Sequence, residues 1–239
     1  MALRPVHVIA ALGAAFALMW ARSARAYAPS VAEPAVPYGP GIGDGVDDWL
    51  QVDDTFAGPI YEGDPMNTAY DDALADANVR AFLYLLRNTE HTRSDAATGR
   101  AYSTFYGGAQ FKNLADHPVL TGEMRGVQLP AKMCVAAGFA DGICVSTAAG
   151  AYQFIVPTWN NMRGISPRLP DFSPASQDVA AVRLLRKIGA LEPLQMGNLD
   201  AALRKASSQW ASLPYSTAQQ NPKSLQTAVS LFAEGLHSA

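Results

Sequence analysis

Cysteine is almost missing from this chain of 239 residues: there are two, too few to staple a disulfide-dense mini-scaffold. Histidine is nearly as scarce. His7, His91, His117 and His237 show no HExxH spacing and no CxxC pair accompanies them, so no metal ligand set is expected. Neither a GxSxG elbow nor a P-loop occurs, which removes the commonest serine-hydrolase and nucleotide-binding signatures. Charged residues make up 16% and the formal net charge is −3, so a nucleic-acid partner is not expected. The hydrophobic share of 49% is too high for a disordered chain, and the length allows one good core with a tail, or two small domains.

What is present is unevenly distributed. Residues 1–26 open with Arg4, continue as an apolar run over residues 6–21, and close on Ser23-Ala24-Arg25-Ala26, small residues at signal-peptidase spacing. The run is shorter than the roughly 20 residues of a spanning helix, which favours an export signal. Arg22 and Arg25 follow the apolar run, an unusual place for positive charge in a cleaved signal, so a retained membrane anchor through residues 6–21 is the alternative. Export predicts a periplasmic or secreted protein; retention predicts one anchored to the inner membrane.

Residues 27–75 read as an acidic, Pro/Gly-rich tether. No Lys or Arg occurs between residues 27 and 79, whereas 11 of the 21 acids lie between Glu33 and Asp76. Gly39-Pro40-Gly41-Ile42-Gly43 lacks a preceding strand and a following helix, so it reads as a turn rather than a nucleotide loop. The acids fit no calcium-loop register. From Ala77 onward, 15 Lys/Arg face 10 Asp/Glu, a net of +5. A basic module suits a polyanionic partner, and a cell wall bearing stem-peptide carboxylates is one; ordinary surface solvation explains the same count. The opposition of charge would let the tether fold over the basic module and moderate its activity; a solvated spacer is the alternative.

Residues 76–239 carry helical punctuation. Asn78 is a candidate N-cap, with Val79, Phe82, Leu83 and Leu86 on one face. Residues 102–111 read as two short strands around Gly107-Gly108, and 132–134 and 143–145 as hairpin arms. Pro157 opens a helix that Gly164 closes. Ser173-Pro174 opens another with Val179, Val182, Leu185 and Ile188 inward and Gly189 as its stop. Helices at about 199–209 and 222–236 complete an α+β plan, mostly helical with a small antiparallel sheet.

Phe82, Leu86 and Glu90 fall at i, i+4 and i+8, so Glu90 prolongs the inward stripe. A buried carboxylate at the negative end of a helix loses hydration and meets an unfavourable dipole, and both effects raise its pKa. Such an acid can hold its proton near neutrality and give it to a leaving oxygen. An exposed glutamate at a fraying helix end is the plain alternative. Cys134 and Cys144, in presumed hairpin arms of an exported protein, suit a disulfide that closes a short loop, worth about 3 kcal/mol in the chain-entropy model. Nucleophilic thiols, or free ones in a cytosolic protein, are the other readings.

Three stretches stand in a telling order: Tyr102-Ser103-Thr104-Phe105-Tyr106-Gly107-Gly108 running to Asp116-His117-Pro118; Ser146 to Phe154 with Trp159; and Asp171 to Asp178 through Gly189-Ala190-Leu191, then Trp210-Ala211-Ser212-Leu213-Pro214. Together they resemble the lambda-lysozyme family of lytic transglycosylases, within the lysozyme-like superfamily. The resemblance covers about residues 78–236 and says nothing of the leader or tether. It implies a lysozyme-like fold whose small sheet flanks a saccharide cleft, no cofactor, a monomer, and peptidoglycan glycan strands as partner. It places Glu90 as the catalytic acid, and lines the cleft with Ser146, Gly150, Tyr152, Gln153 and Tyr102. Tyr152 could stack on a sugar face and Gln153 could bond hydroxyl or N-acetyl groups, with a core aromatic and a structural hydrogen bond as the respective alternatives. The implied reaction cuts the MurNAc–GlcNAc β(1→4) bond with 1,6-anhydro-MurNAc formation; a hydrolytic muramidase and a non-catalytic wall-binding module are the rivals. The chain departs from the pattern in two places. The segment between Pro118 and Ser146 is longer and carries both cysteines, where the family has a mobile lip, and Ser103 stands where an aspartate follows the tyrosine.

Overall fold

A computed structural model describes residues 65–136, 139–217 and 222–238. The leader 1–26, its apolar run 6–21 and the tether as far as residue 64 lie outside the described residues.

The stretch read as tether to residue 75 turns helical at Pro65. Helix α1 spans Pro65–Ala75, and Tyr70 and Ala73 are buried in the core. The acidic average of the region concealed a short apolar spacing at Tyr70, Ala73 and Leu74. The guanidinium groups of Arg183 and Arg186 lie 5.0 and 5.8 Å from the Tyr70 ring centre.

Helix α2 covers Ala77–Glu90. Its N-cap is Asp76 rather than Asn78, because the Asp76 carboxylate accepts from the amides of Asn78 (2.8 Å) and Val79 (3.1 Å). Both residue types cap well; their order along the chain decides which one does. A short helix α3, Arg93–Ala97, follows. Residues 102–111 are not two strands. They form 3-10 turns at Arg100–Ser103 and Tyr106–Gly108, with single bridges Thr104–Gln110 and Phe105–Ala149. Gly107 sits at φ +83°, which breaks the pleat that a strand would need.

The two strands among the described residues are β1, Val127–Gln128, and β2, Val145–Ser146. They pair antiparallel, Val127 opposite Ser146 and Gln128 opposite Val145. The expected first hairpin arm is instead helical, since α4 spans Ala131–Ala136 just after Pro130. The Cys134–Cys144 disulfide, with a Cα–Cα distance of 5.5 Å, ties α4 to the entry of β2. Leu129 and both cysteines make a small core of their own, against which Tyr106 and Phe139 pack.

Helix α5, Val156–Arg163, has Pro157 in its first turn and Gly164 as C-cap. Helix α6, Pro174–Lys187, is capped by Ser173; Val182 and Leu185 are buried, while Val179 and Ile188 are partly so. Helices α7 (Leu191–Gln195) and α8 (Leu199–Ala206) come next, and α8 ends three residues before the predicted 209. Helix α9 runs over Leu225–Ser238 and lies against α2. A Cβ on Gly235 would come within 2.7 Å of the Ala81 Cα, so the crossing depends on a missing side chain. The result is mostly helical with one two-stranded sheet, as predicted. Its core centres on Trp159, Trp210, Tyr152, Phe82 and Phe172, all fully buried.

Candidate active site

The apolar stripe of α2 carries Glu90 inward with Phe82 and Leu86, and the helix ends there because His91 turns to extended backbone at φ −130°. Glu90 is 5% exposed. Burial pushes its pKa up to about 8, against two opposing influences: a hydrogen bond from Ser212 and the positive charge of Lys223. The Ser212 hydroxyl donates to Glu90 Oε1. Ser212 lies in the turn after α8, held by two backbone bonds: its carbonyl accepts from Lys223 N at 2.8 Å, and Leu213 N donates to Trp210 O at 3.1 Å. The buried Trp210 indole donates to Tyr152 O at 3.2 Å.

His91, buried beside the acid, must donate from Nε2 to the Gly150 carbonyl at 3.0 Å, since a carbonyl can only accept. Burial lowers its pKa and favours the neutral ring. That bond joins the end of α2 to the turn at 150–153. Gly150 has φ +77°, and a Cβ there would meet Gln177 Oε1 at 2.2 Å. The close approach is by a protein side chain: Gln177 Oε1 accepts from Ala151 N at 2.8 Å, and its Nε2 donates to the carbonyls of Tyr102 and Phe172.

The other predicted cleft residues are placed less directly. Gln153 is 3% exposed, and its Nε2 donates to Gly150 O (3.0 Å) and Thr104 O (3.3 Å), closing its own turn. The structural hydrogen bond is therefore the reading that its amide nitrogen fulfils. Tyr152 is fully buried, so its ring is not offered to a sugar face; this corrects the stacking expectation. Its hydroxyl donates to Asp178 Oδ1 and accepts from Arg87 Nη1 at 2.9 Å. A large ring next to Gly150 fills the core between α2, α6 and Trp210, and stacking on a ligand would cost that burial.

Tyr102 meets the Tyr152 ring edge-on, 6.4 Å between centres, and donates to Asp178 at 2.8 Å. It lines a cavity of about 410 Å³ with Leu83, Arg87, Asp178 and Gly235 among its walls; Glu90 is not among them. Tyr102 thus belongs to the network behind the turn at 150–153. Ser146 is fully buried on β2, its hydroxyl accepting from Ala148 N at 3.3 Å, which makes it a support of the turn rather than an open contact. Ser103 donates to Gln110 Oε1 at 3.0 Å.

Asp116 and His117 prove structural. The Asp116 carboxylate accepts from the Trp159 indole (2.8 Å) and from Arg163. Burial opposes its charge, yet those donors together with the His117 amide hold its pKa below the usual range. Buried His117 is pulled down to about 4 by loss of hydration; its Nε2 donates to Phe154 O at 2.9 Å while Nδ1 accepts from Val119 N. Among the described residues no three His, Cys, Asp or Glu side chains gather into a possible metal site.

Sequence reasoning missed Ser212, Lys223, Arg87, Gln177 and Asp178. Ser212 lies inside the quoted Trp210–Pro214 motif, and Gln177 and Asp178 inside the quoted 171–178 motif, so their positions were marked without their partners. Arg87, one helical turn before Glu90, carried no motif at all.

The chain is similar to proteins of known kind. A family model described as Endolysin matches residues 80–236. The endolysin of Escherichia phage P2 is 34% identical over 161 residues, covering 65% of this chain and 90% of that protein. The endolysin of Escherichia phage lambda is 33% identical over 137 residues, covering 56% of this chain and 76% of that one. A solved structure of bacteriophage lambda lysozyme complexed with a chitohexasaccharide superposes with a TM-score of 0.53 at 29% identity, covering 66% of this chain and 94% of that chain.

Proposed function

The chain belongs to the endolysin family, with a lysozyme-like fold and peptidoglycan-degrading function, and from that premise we propose that it is a lytic transglycosylase. Its substrate is the glycan strand of peptidoglycan, and the bond cut is the β(1→4) link from MurNAc to GlcNAc. The observation that carries this reading is Glu90, a buried carboxyl whose pKa of about 8 keeps it protonated near neutral pH. The related lambda structure holds a chitohexasaccharide, and by that likeness a β(1→4) glycan is the ligand of this chain.

One carboxyl suffices for the reaction. Most glycosidases place a second carboxylate opposite the acid to activate water or form a glycosyl intermediate. The influences on Glu90 are burial, Ser212 and Lys223, none of them a carboxylate among the described residues. In the first half-reaction Glu90 gives its proton to the glycosidic oxygen as the bond from MurNAc C1 breaks, and the GlcNAc alcohol leaves. The resulting carboxylate then takes the proton from the MurNAc C6 hydroxyl while that oxygen closes on C1. Glu90 ends as it began, and no water is consumed. The N-acetyl oxygen of the substrate can stabilise the positive charge that develops at C1 between the two steps.

Such a substrate lies outside the cytoplasm, so the same reading uses residues 1–26 for export to the periplasm or beyond, or as an inner-membrane anchor. The net of +5 from residue 77 onward suits a wall rich in carboxylates. Mass spectrometry of muropeptides released by the protein tests the proposal. Anhydromuramoyl ends are expected; reducing MurNAc ends would make it a muramidase, and sacculus binding without product would make it a wall-binding module.

A further inference from the structure

The two carboxyl oxygens of Glu90 are not equivalent. Only one of the two meets a hydrogen-bond donor among the described residues: Ser212 Oγ donates to Oε1. Ser212 is 6% exposed, and its backbone is clamped on both sides by the Lys223–Ser212 and Leu213–Trp210 bonds. Trp210 in turn is fixed on Tyr152 O. The hydroxyl therefore stands on a turn that is hydrogen-bonded on both sides, set against the end of α2.

The remaining groups around the carboxyl do not compete for Oε1. Lys223 acts through its charge. The His91 ring is committed to Gly150 O and favours its neutral form.

We propose that Ser212 is a positioning residue for the reaction, donating to Oε1 so that the transferred proton resides on Oε2. The inference rests on the reading of Glu90 as the acid and then the base of glycan cleavage. A carboxylic acid has one carbonyl-type and one hydroxyl-type oxygen, and a donor aimed at Oε1 favours the form with the proton on the other. In the first half-reaction the Oε2–H bond breaks and its proton passes to the leaving glycosidic oxygen. The negative charge then spread over both oxygens shortens and strengthens the bond from Ser212. In the second half-reaction the C6 hydroxyl proton returns to Oε2 and the bond from Ser212 relaxes. Because the interaction is stronger when the carboxylate forms than in the ground state, its loss should appear in kcat rather than KM.

The test compares the full chain with Ser212→Ala on purified sacculi across pH. The expected result is a fall in kcat of about tenfold, the worth of one hydrogen bond to a charged group, with KM nearly unchanged. The alkaline limb of the profile should also move upward by about one pH unit, because the variant lacks a bond that favours the ionised form. A limb that stays in place overturns the inference whatever happens to kcat, since a merely structural serine would slow the enzyme without moving it. Where turnover of the variant is too slow to profile, 13C carboxyl titration of Glu90 in both proteins reads the same movement, and an unmoved titration overturns it equally. Glu90→Gln separates the two levels: if that variant still cleaves, the catalytic reading itself is wrong. If it is inactive while the Ser212→Ala limb is unmoved, only the role of Ser212 falls.

Discussion

Arg87 Nη1 donates to the Tyr152 hydroxyl at 2.9 Å, one helical turn before Glu90, and thereby pins the helix that carries the acid to the turn at 150–153. The same hydroxyl donates to Asp178 on α6, and the Arg87 guanidinium lies 5.8 Å from the centre of the Tyr102 ring. Four polar side chains from four parts of the chain thus hold Glu90's helix in place from behind. Arg87→Met keeps much of the stem but removes the donor and the charge. It should cost about 1–3 kcal/mol of unfolding free energy, with a drop in turnover from looser placement of the acid. Chemical denaturation with a parallel turnover assay checks both; unchanged stability would show that the network is not shared.

Removing the charge-bearing group should stabilise the protein while ending catalysis. Glu90 has a folded pKa of about 8 against the ordinary glutamate value of 4.5, so between those values the folded chain holds a proton that the unfolded chain has lost. The contribution of Glu90 to stability is therefore full below about pH 4.5 and declines as pH rises through about 8. Glu90→Gln escapes that decline. Its melting temperature should match the parent near pH 4 and exceed it increasingly toward pH 8, while cleavage falls by at least about a hundredfold. Melting curves across pH that run parallel would contradict the burial assigned to this group.

Lys223 should tune the same titration from the other direction. Its positive charge favours ionised Glu90, so Lys223→Met should raise the pKa of Glu90 and move the alkaline limb of activity to higher pH. Added salt should shrink the difference between the two proteins if solvent reaches the pair. Steady-state rates from pH 6 to 10 at two ionic strengths provide the measurement.

The Cys134–Cys144 bond closes a short loop, with a sequence separation of 10, over a core of only three buried residues. So small a cluster cannot order the segment unaided. Replacing both cysteines by serine should loosen residues 127–146 by about 3 kcal/mol in the chain-entropy model. The main helical core should melt almost unchanged, because those residues pack apart from it. Limited proteolysis with mapping of the first cut checks this, and a first cut elsewhere would count against it.

Where a signal was local, the sequence carried it. Ser173-Pro174 opens α6 and Gly164 closes α5 because capping depends on residues within one turn. The predictions that missed were those in which local chemistry permits two outcomes. Asp76 and Asn78 both suit a cap. Residues 102–111 have strand-forming aromatics, but Gly107 at positive φ turns them into 3-10 turns. In α1, Tyr70 and Ala73 are too few to stand out from an acidic background, and their burial comes from packing on α6.

From the sequence alone came the inward course of Phe82, Leu86 and Glu90, because helical periodicity assigns faces without reference to the rest of the chain. Tertiary structure alone decided that Glu90 would meet Ser212, 122 residues away, that Lys223 would stand close enough to oppose its protonation, and that Tyr152 would be core rather than sugar platform. Those outcomes depend on which distant segments close over the end of one helix. Burial, which sets the acid's proton affinity, is a property of that closure and not of any residue in it.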